Sequence, residues 1–159
     1  MKRNILYVLI SLLLVACSGD DDGETREIGG IFNATFDTDK MIGTWTYQTI
    51  TLNGNESEYE HRSGCPKDIF AFFNSTEKPF EYEEIIYVNN ECGARGISLK
   101  WEVNQGLINF YSAQRFIIAF QVVSITDSEF IFSYRFDYDE DGDLDEVEIV
   151  AVKNNPSDG

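Results

Sequence analysis

The chain is poor in the residues that do most catalytic and nucleic-acid chemistry. It has one histidine, His61, in 159 residues, and three cysteines, Cys17, Cys65 and Cys92. With Cys17 set apart behind the N-terminal apolar run, Cys65, Cys92 and His61 are one ligand short of the four that a structural zinc site needs. Positive charge is also scarce: 12 lysines and arginines face 28 carboxylates, for a formal net charge of −16. A chain this acidic offers no basic patch for nucleic acid or an anionic membrane surface, and it suits solubility, a cation or a basic partner. No Gly-x-Ser-x-Gly, phosphate loop or dinucleotide fingerprint occurs. His61 lies four residues from Cys65, where a Cys–His nucleophile is conceivable, but Cys65 has a better use with Cys92; carboxylate pairs such as Glu83-Glu84 are too common here to mark a hydrolase. The chain reads as a non-enzyme. Sustained helical spacing and solenoid or propeller repeats are missing as well.

One long apolar run exists, Ile5–Ala16, broken only by Ser11 and preceded by Lys2 and Arg3. As a helix it would span roughly 18 Å, short of the ~30 Å hydrocarbon core, so it reads as a secretory segment rather than a membrane span. It closes on Leu14-Val15-Ala16-Cys17, which resembles the lipobox of bacterial lipoproteins. The resemblance implies a signal peptide over residues 1–16, cleavage before Cys17, and acylation of Cys17 as a palmitate-type anchor. Several acyl chains on one residue meet the rule that a single chain anchors only marginally. The expected location is the outer membrane, lipid-anchored, at the cell surface or the periplasmic face. Ser18-Gly19-Asp20-Asp21-Asp22-Gly23 continues as an acidic tether, and residues 17–35 read as the lipidated cysteine and its linker. With Cys17 lipidated in an oxidising compartment, Cys65 and Cys92 are left as the natural disulfide pair.

From residue 36 the patterning is β throughout: period-two alternation, many β-branched and aromatic residues, and turn signals between. Strands are expected at Thr44–Leu52, Asp68–Asn74, Phe80–Val88, Ile97–Val103, Leu107–Tyr111, Arg115–Ile125, Glu129–Asp137 and Val147–Lys153. About eight short strands joined by tight turns suit an all-β, antiparallel up-and-down barrel over residues 36–153, with a disordered tail at 154–159. A sandwich has the same strand count.

Phe36-Asp37-Thr38-Asp39-Lys40-Met41-Ile42-Gly43-Thr44-Trp45 resembles the opening of a lipocalin, where a short helical turn leads into Gly-x-Trp on the first strand. A cysteine before the second strand, a polar turn at Asn74–Lys78, a second cysteine and Lys100-Trp101-Glu102-Val103 follow in the order of bacterial lipocalin-like domains. The resemblance implies that Gly43 and Trp45 plug one end of the barrel and that a small, apolar ligand enters the other. It also implies an arginine from the last strand over the tryptophan; here that strand offers only Lys153, and Arg135 lies one strand earlier. Twelve Phe, eight Tyr and two Trp are enough to fill an eight-stranded interior, so both a solid and a ligand-holding barrel are open.

Asp137-Tyr138-Asp139-Glu140-Asp141-Gly142-Asp143-Leu144-Asp145-Glu146-Val147-Glu148 fits the calcium loop D-x-D-x-D-G with glutamate twelfth. The expected ligands of a Ca²⁺ ion are Asp137, Asp139, Asp141, Asp143, Asp145 and Glu148. The alternative is a two-residue turn at Asp141-Gly142, which sets Phe136 opposite Val147, Tyr134 opposite Ile149 and Arg135 opposite Glu148. A second functional expectation follows: a solid barrel that shows a calcium-ordered acidic hairpin to a surface protein partner.

Overall fold

The computed structural model describes residues 27–137 and 141–154. The signal segment, Cys17, residues 18–26 of the tether, Asp139 and the tail from residue 155 lie outside the described residues. Ten strands and one short helix follow in chain order: β1 Gly30–Phe32, α1 Thr38–Met41, β2 Gly43–Leu52, β3 Asn55–Glu58, β4 Ile69–Phe73, β5 Glu81–Tyr87, β6 Ala94–Asn104, β7 Leu107–Ser112, β8 Arg115–Ile125, β9 Glu129–Phe136 and β10 Asp145–Lys153.

Eight of these strands, β2 and β4 to β10, pair antiparallel in an unbroken circuit in which β10 returns to β2. The result is a closed antiparallel barrel in which each of the eight strands has a neighbour on both sides. The tight turns come from local chemistry. Asn53-Gly54 and Gln105-Gly106 each hold two successive positive φ angles between paired residues, the hairpin turn whose twist matches its strands. Two strands lie beyond the eight read from the sequence. β3 folds back on the far half of β2, and β1 adds in parallel to the end of β6, with Ile31 beside Val103. Gly30–Phe32 belongs to the segment read as tether, and its backbone is ordered by this pairing.

Alternation along the strands sends one face inward, and that face is aromatic. Trp45, Phe70, Phe72, Trp101, Phe110, Phe130 and Phe132 are all buried in one cluster. Rings meet edge-on or tilted, as Phe72 does with Trp101 at 5.9 Å between centroids and Phe70 with Phe132 at 5.6 Å. Such pairs add about 0.5–1.5 kcal/mol each beyond the area they bury.

The β9–β10 hairpin departs from the two-residue turn. Phe136 pairs with Asp145, Tyr134 with Val147 and Phe132 with Ile149, two residues away from the expected register. Arg135 therefore faces Glu146 and Glu148 faces Ser133. A shift of two preserves which side chains point inward, so Phe132, Val147 and Ile149 remain core residues. Glu146 thus stands beside Arg135 instead of opposite Asp137, the like charge that a two-residue turn would give it.

Candidate functional site

The end of the barrel where β2 begins is sealed. Asp37 caps α1, its carboxylate accepting from Asp39 N at 3.2 Å, and the helix delivers Met41 and Trp45 into the interior. Trp45 Nε1 donates to the Met41 carbonyl at 2.9 Å. Lys153, from β10, lies with Nζ 5.1 Å from the Trp45 ring and donates to the Lys40 carbonyl at 3.0 Å. The cation the resemblance led one to expect as arginine is thus supplied by lysine. Its stem runs close to Gly43, where a Cβ would come within 3.0 Å of Lys153 Cε and φ is +129°; both features favour glycine. Trp101 completes the seal, donating to the carbonyls of Phe73 and Glu81 at 3.2 and 3.1 Å.

Toward the opposite end the interior opens. On the inward face of β6, Val103 and Trp101 are fully buried, Leu99 is half-buried and Ile97 is 41% exposed. On β9, Phe130 and Phe132 are buried, Tyr134 is half-buried and Phe136 is 52% exposed. The sealed half is packed solid; the other half is a mouth with an apolar rim. One wall of that mouth is a ring stack, with Phe120 centred 4.6 Å from Phe132 and 5.0 Å from Tyr134. The β8–β9 ladder stops at Gln121 and Ser133, so the strands part above that point. A groove of about 480 Å³ lies there, lined mainly by side chains of the outer face, Leu107, Gln121, Ser133, Arg135 and Glu146, with Ile118 and Tyr134 from the inner one.

The wall formed by β2, β4 and β5 is polar. Glu84 shares the inward face of β5 with Tyr82, and its carboxylate accepts from the Tyr47 hydroxyl, which also meets that of Tyr82. Burial pushes the Glu84 carboxyl above the usual carboxylate range; the Tyr47 hydrogen bond opposes this and the charge of Asp68 adds to it. Burial also raises the Tyr47 and Tyr82 phenols well above their ordinary value, with Glu84 nearby reinforcing both. Asp68, itself buried, accepts from Tyr59 Oη at 3.1 Å and Tyr87 N at 2.8 Å. His61 Nδ1 accepts from Asp68 N at 3.1 Å, which leaves Nε2 to donate to the Tyr47 carbonyl at 2.9 Å. The histidine thus bridges the gap on β2 between the β3 and β4 ladders, a structural task.

Cys65 and Cys92 form a disulfide, with Cα atoms 5.3 Å apart. It ties the segment before β4 to the β5–β6 turn at the mouth, and it leaves Cys65 no thiol for a pairing with His61. In the acidic loop, Asp137 accepts from Gly142 N at 3.1 Å, Asp141 from Asp143 N at 2.9 Å, and Asp145 from Asn53 Nδ2 at 2.6 Å. Glu148 sits on β10, beside Thr51 and Ser133. Among the described residues no three acidic, histidine or cysteine side chains stand close enough to share a metal ion; Asp139 is not among them. Sequence reasoning missed Glu84 as an interior group. The available signal was its parity with Tyr82 and Ile86 on one strand.

The sequence profile of the lipocalin-like domain matches residues 41–132, more than half of the chain. No curated protein matches the chain in sequence. Among solved structures, a lipocalin-like protein from Bacteroides uniformis superposes with a TM-score of 0.51 at 9% identity, over 72% of this chain and 99% of that one. The cockroach major allergen Per a 4 superposes with a TM-score of 0.51 at 15% identity, over 79% of this chain and 73% of that one. At these identities the likeness speaks to the fold, which is the closed barrel described above. Profile and architecture agree: the chain belongs to the lipocalin-like domain family.

Proposed function

We propose that this chain is a membrane-anchored lipoprotein whose barrel takes a small, largely apolar molecule into its open half and catalyses no reaction. The observation that carries the reading is the gradient along β6 and β9, from fully buried rings at the sealed end to half-exposed apolar side chains at the mouth. A barrel packed solid from end to end would bury those positions, and an exposed apolar rim of this kind is otherwise a liability in water. The anchor rests on the sequence alone, on Ile5–Ala16 followed by Cys17. The test is a thermal melt of the full chain in mild detergent with fatty acids, sterols and porphyrins. A ligand at a hundred times its Kd raises stability by about 2.7 kcal/mol. Melting temperatures unchanged by every class would refute the reading. For the anchor, labelled palmitate should enter the wild-type chain and not Cys17→Ser.

A second reading is favoured by the length of the β9–β10 loop, which exceeds the tight turn its Asp-Gly pair encodes. In that reading the loop binds Ca²⁺ and presents an ordered acidic hairpin to a protein partner. Asp141→Ala should then remove any calcium-dependent rise in melting temperature.

A further inference from the structure

Glu84 is costly where it stands. It lies on the inner wall of the barrel between Phe70 and Ile97 of the neighbouring strands, and it receives one hydroxyl donor, Tyr47. Among the described residues no lysine, arginine or histidine forms an ion pair with it; Lys40, Lys78 and Lys100 pair with other carboxylates, and His61 is engaged by Asp68 N and the Tyr47 carbonyl. The groups that face it make matters worse or leave them neutral: Asp68 ahead of β4 carries the same sign, and Tyr47 and Tyr82 are phenols that stay protonated. A half-buried carboxylate beside apolar neighbours and without a cation is disfavoured, and glutamine or leucine would serve the fold better. The missing partner is a positive charge. Phe120 and Tyr134 stack on one another in the wall of the mouth, and Tyr134 is near enough to Tyr82 to act on its charge; Leu99 and Ile97, partly exposed, follow on the strand beside Glu84. A carboxylate set in an apolar wall suits an ammonium group on an apolar body, the carboxylate supplying charge and the wall supplying packing.

We propose that the molecule taken into the mouth is a protonated amine on a small apolar body, its ammonium group against Glu84 and Tyr47 and its apolar part against Phe120, Tyr134 and Leu99. The inference rests on the reading of the mouth as a ligand site and specifies what that site selects. The net charge of −16 works in the same direction, since the field of the whole chain draws cations in and repels carboxylates.

The experiment uses the full chain in mild detergent and three water-soluble probes of matched shape: phenethylamine, phenethyl alcohol and phenylacetate. Calorimetric titration should give the amine at least about tenfold tighter binding than the alcohol, with the carboxylate weakest. Glu84→Gln should bring the amine down to the affinity of the alcohol while alcohol binding persists, and Glu83→Gln, on the outer face, should change neither. Equal affinities for amine and alcohol in the wild-type chain would overturn the inference while leaving the mouth a ligand site; this comparison needs no variant to fold. An amine preference that survives Glu84→Gln would also overturn it. Failure of all three probes to bind would overturn both this inference and the mouth as a ligand site.

Discussion

Removing the disulfide by Cys65→Ala with Cys92→Ala should cost the barrel a large part of its stability. The two residues are 27 apart in sequence. In the chain-entropy treatment, a loop of that length removes about 12 cal/mol/K from the unfolded ensemble, or about 3.5 kcal/mol at room temperature. Both cysteines are only partly buried, so little packing is lost and the entropic part dominates. Whole domains are stable by about 5–15 kcal/mol, and a loss of this size would lower the melting temperature by roughly 10–14 °C. The assay is urea unfolding of the oxidised wild type and the double variant, followed by tryptophan fluorescence. Both indoles lie at the sealed end, far from the bridge, so they report the global transition. A loss below about 1 kcal/mol with an unchanged slope would refute the reasoning. It would mean that the unfolded chain already holds residues 65 and 92 near each other, or that the segment before β4 opens independently of the barrel.

Other outcomes follow from the same geometry. Because burial raises the Glu84 pKa in the folded state, the fold binds a proton more tightly than the unfolded chain does, and stability falls as pH rises through that shifted value. Glu84→Gln should therefore melt above wild type at neutral pH, and the difference should close as pH drops toward the ordinary carboxylate value of about 4.3; a constant difference across that range would contradict the assignment. Lys153→Met should cost about 1–2 kcal/mol in chemical unfolding by removing the cation over Trp45 and the bond to Lys40 O, with Lys153→Arg recovering most of it. A melt of the full chain with calcium and then with chelator checks the acidic loop; identical melting temperatures would remove the metal reading.

Much of the fold was legible because its signals are local. Eight strands follow from alternation, and Asn53-Gly54 and Gln105-Gly106 announce their own turns. What the sequence withheld has physical reasons. β3 is wholly exposed and polar, so no buried face marks it, and β1 is three residues whose order comes from backbone pairing with β6. The β9–β10 register escaped because a slip of two residues leaves the inward pattern intact, and the Asp-Gly pair argued for the shorter turn. The site was legible at its sealed end, where Gly43 and Trp45 carry a motif. At the mouth it was not: Glu84 looks like one half of an ordinary acidic pair until the register of β5 turns it inward.

The lysine that covers Trp45 comes from the last strand, whereas the tryptophan stands near the start of the first barrel strand. The seal and the closing ladder between β2 and β10 therefore join residues almost a full domain apart. Contacts of such separation form late and slowly, after the loop entropy of everything between them has been overcome. During synthesis the emerging chain holds its aromatic face without a closing strand until β10 arrives. A chain truncated before Val147 would have no productive folded state to reach. Residues 145–153, which pair with both β9 and β2, are thus the segment whose arrival closes the barrel.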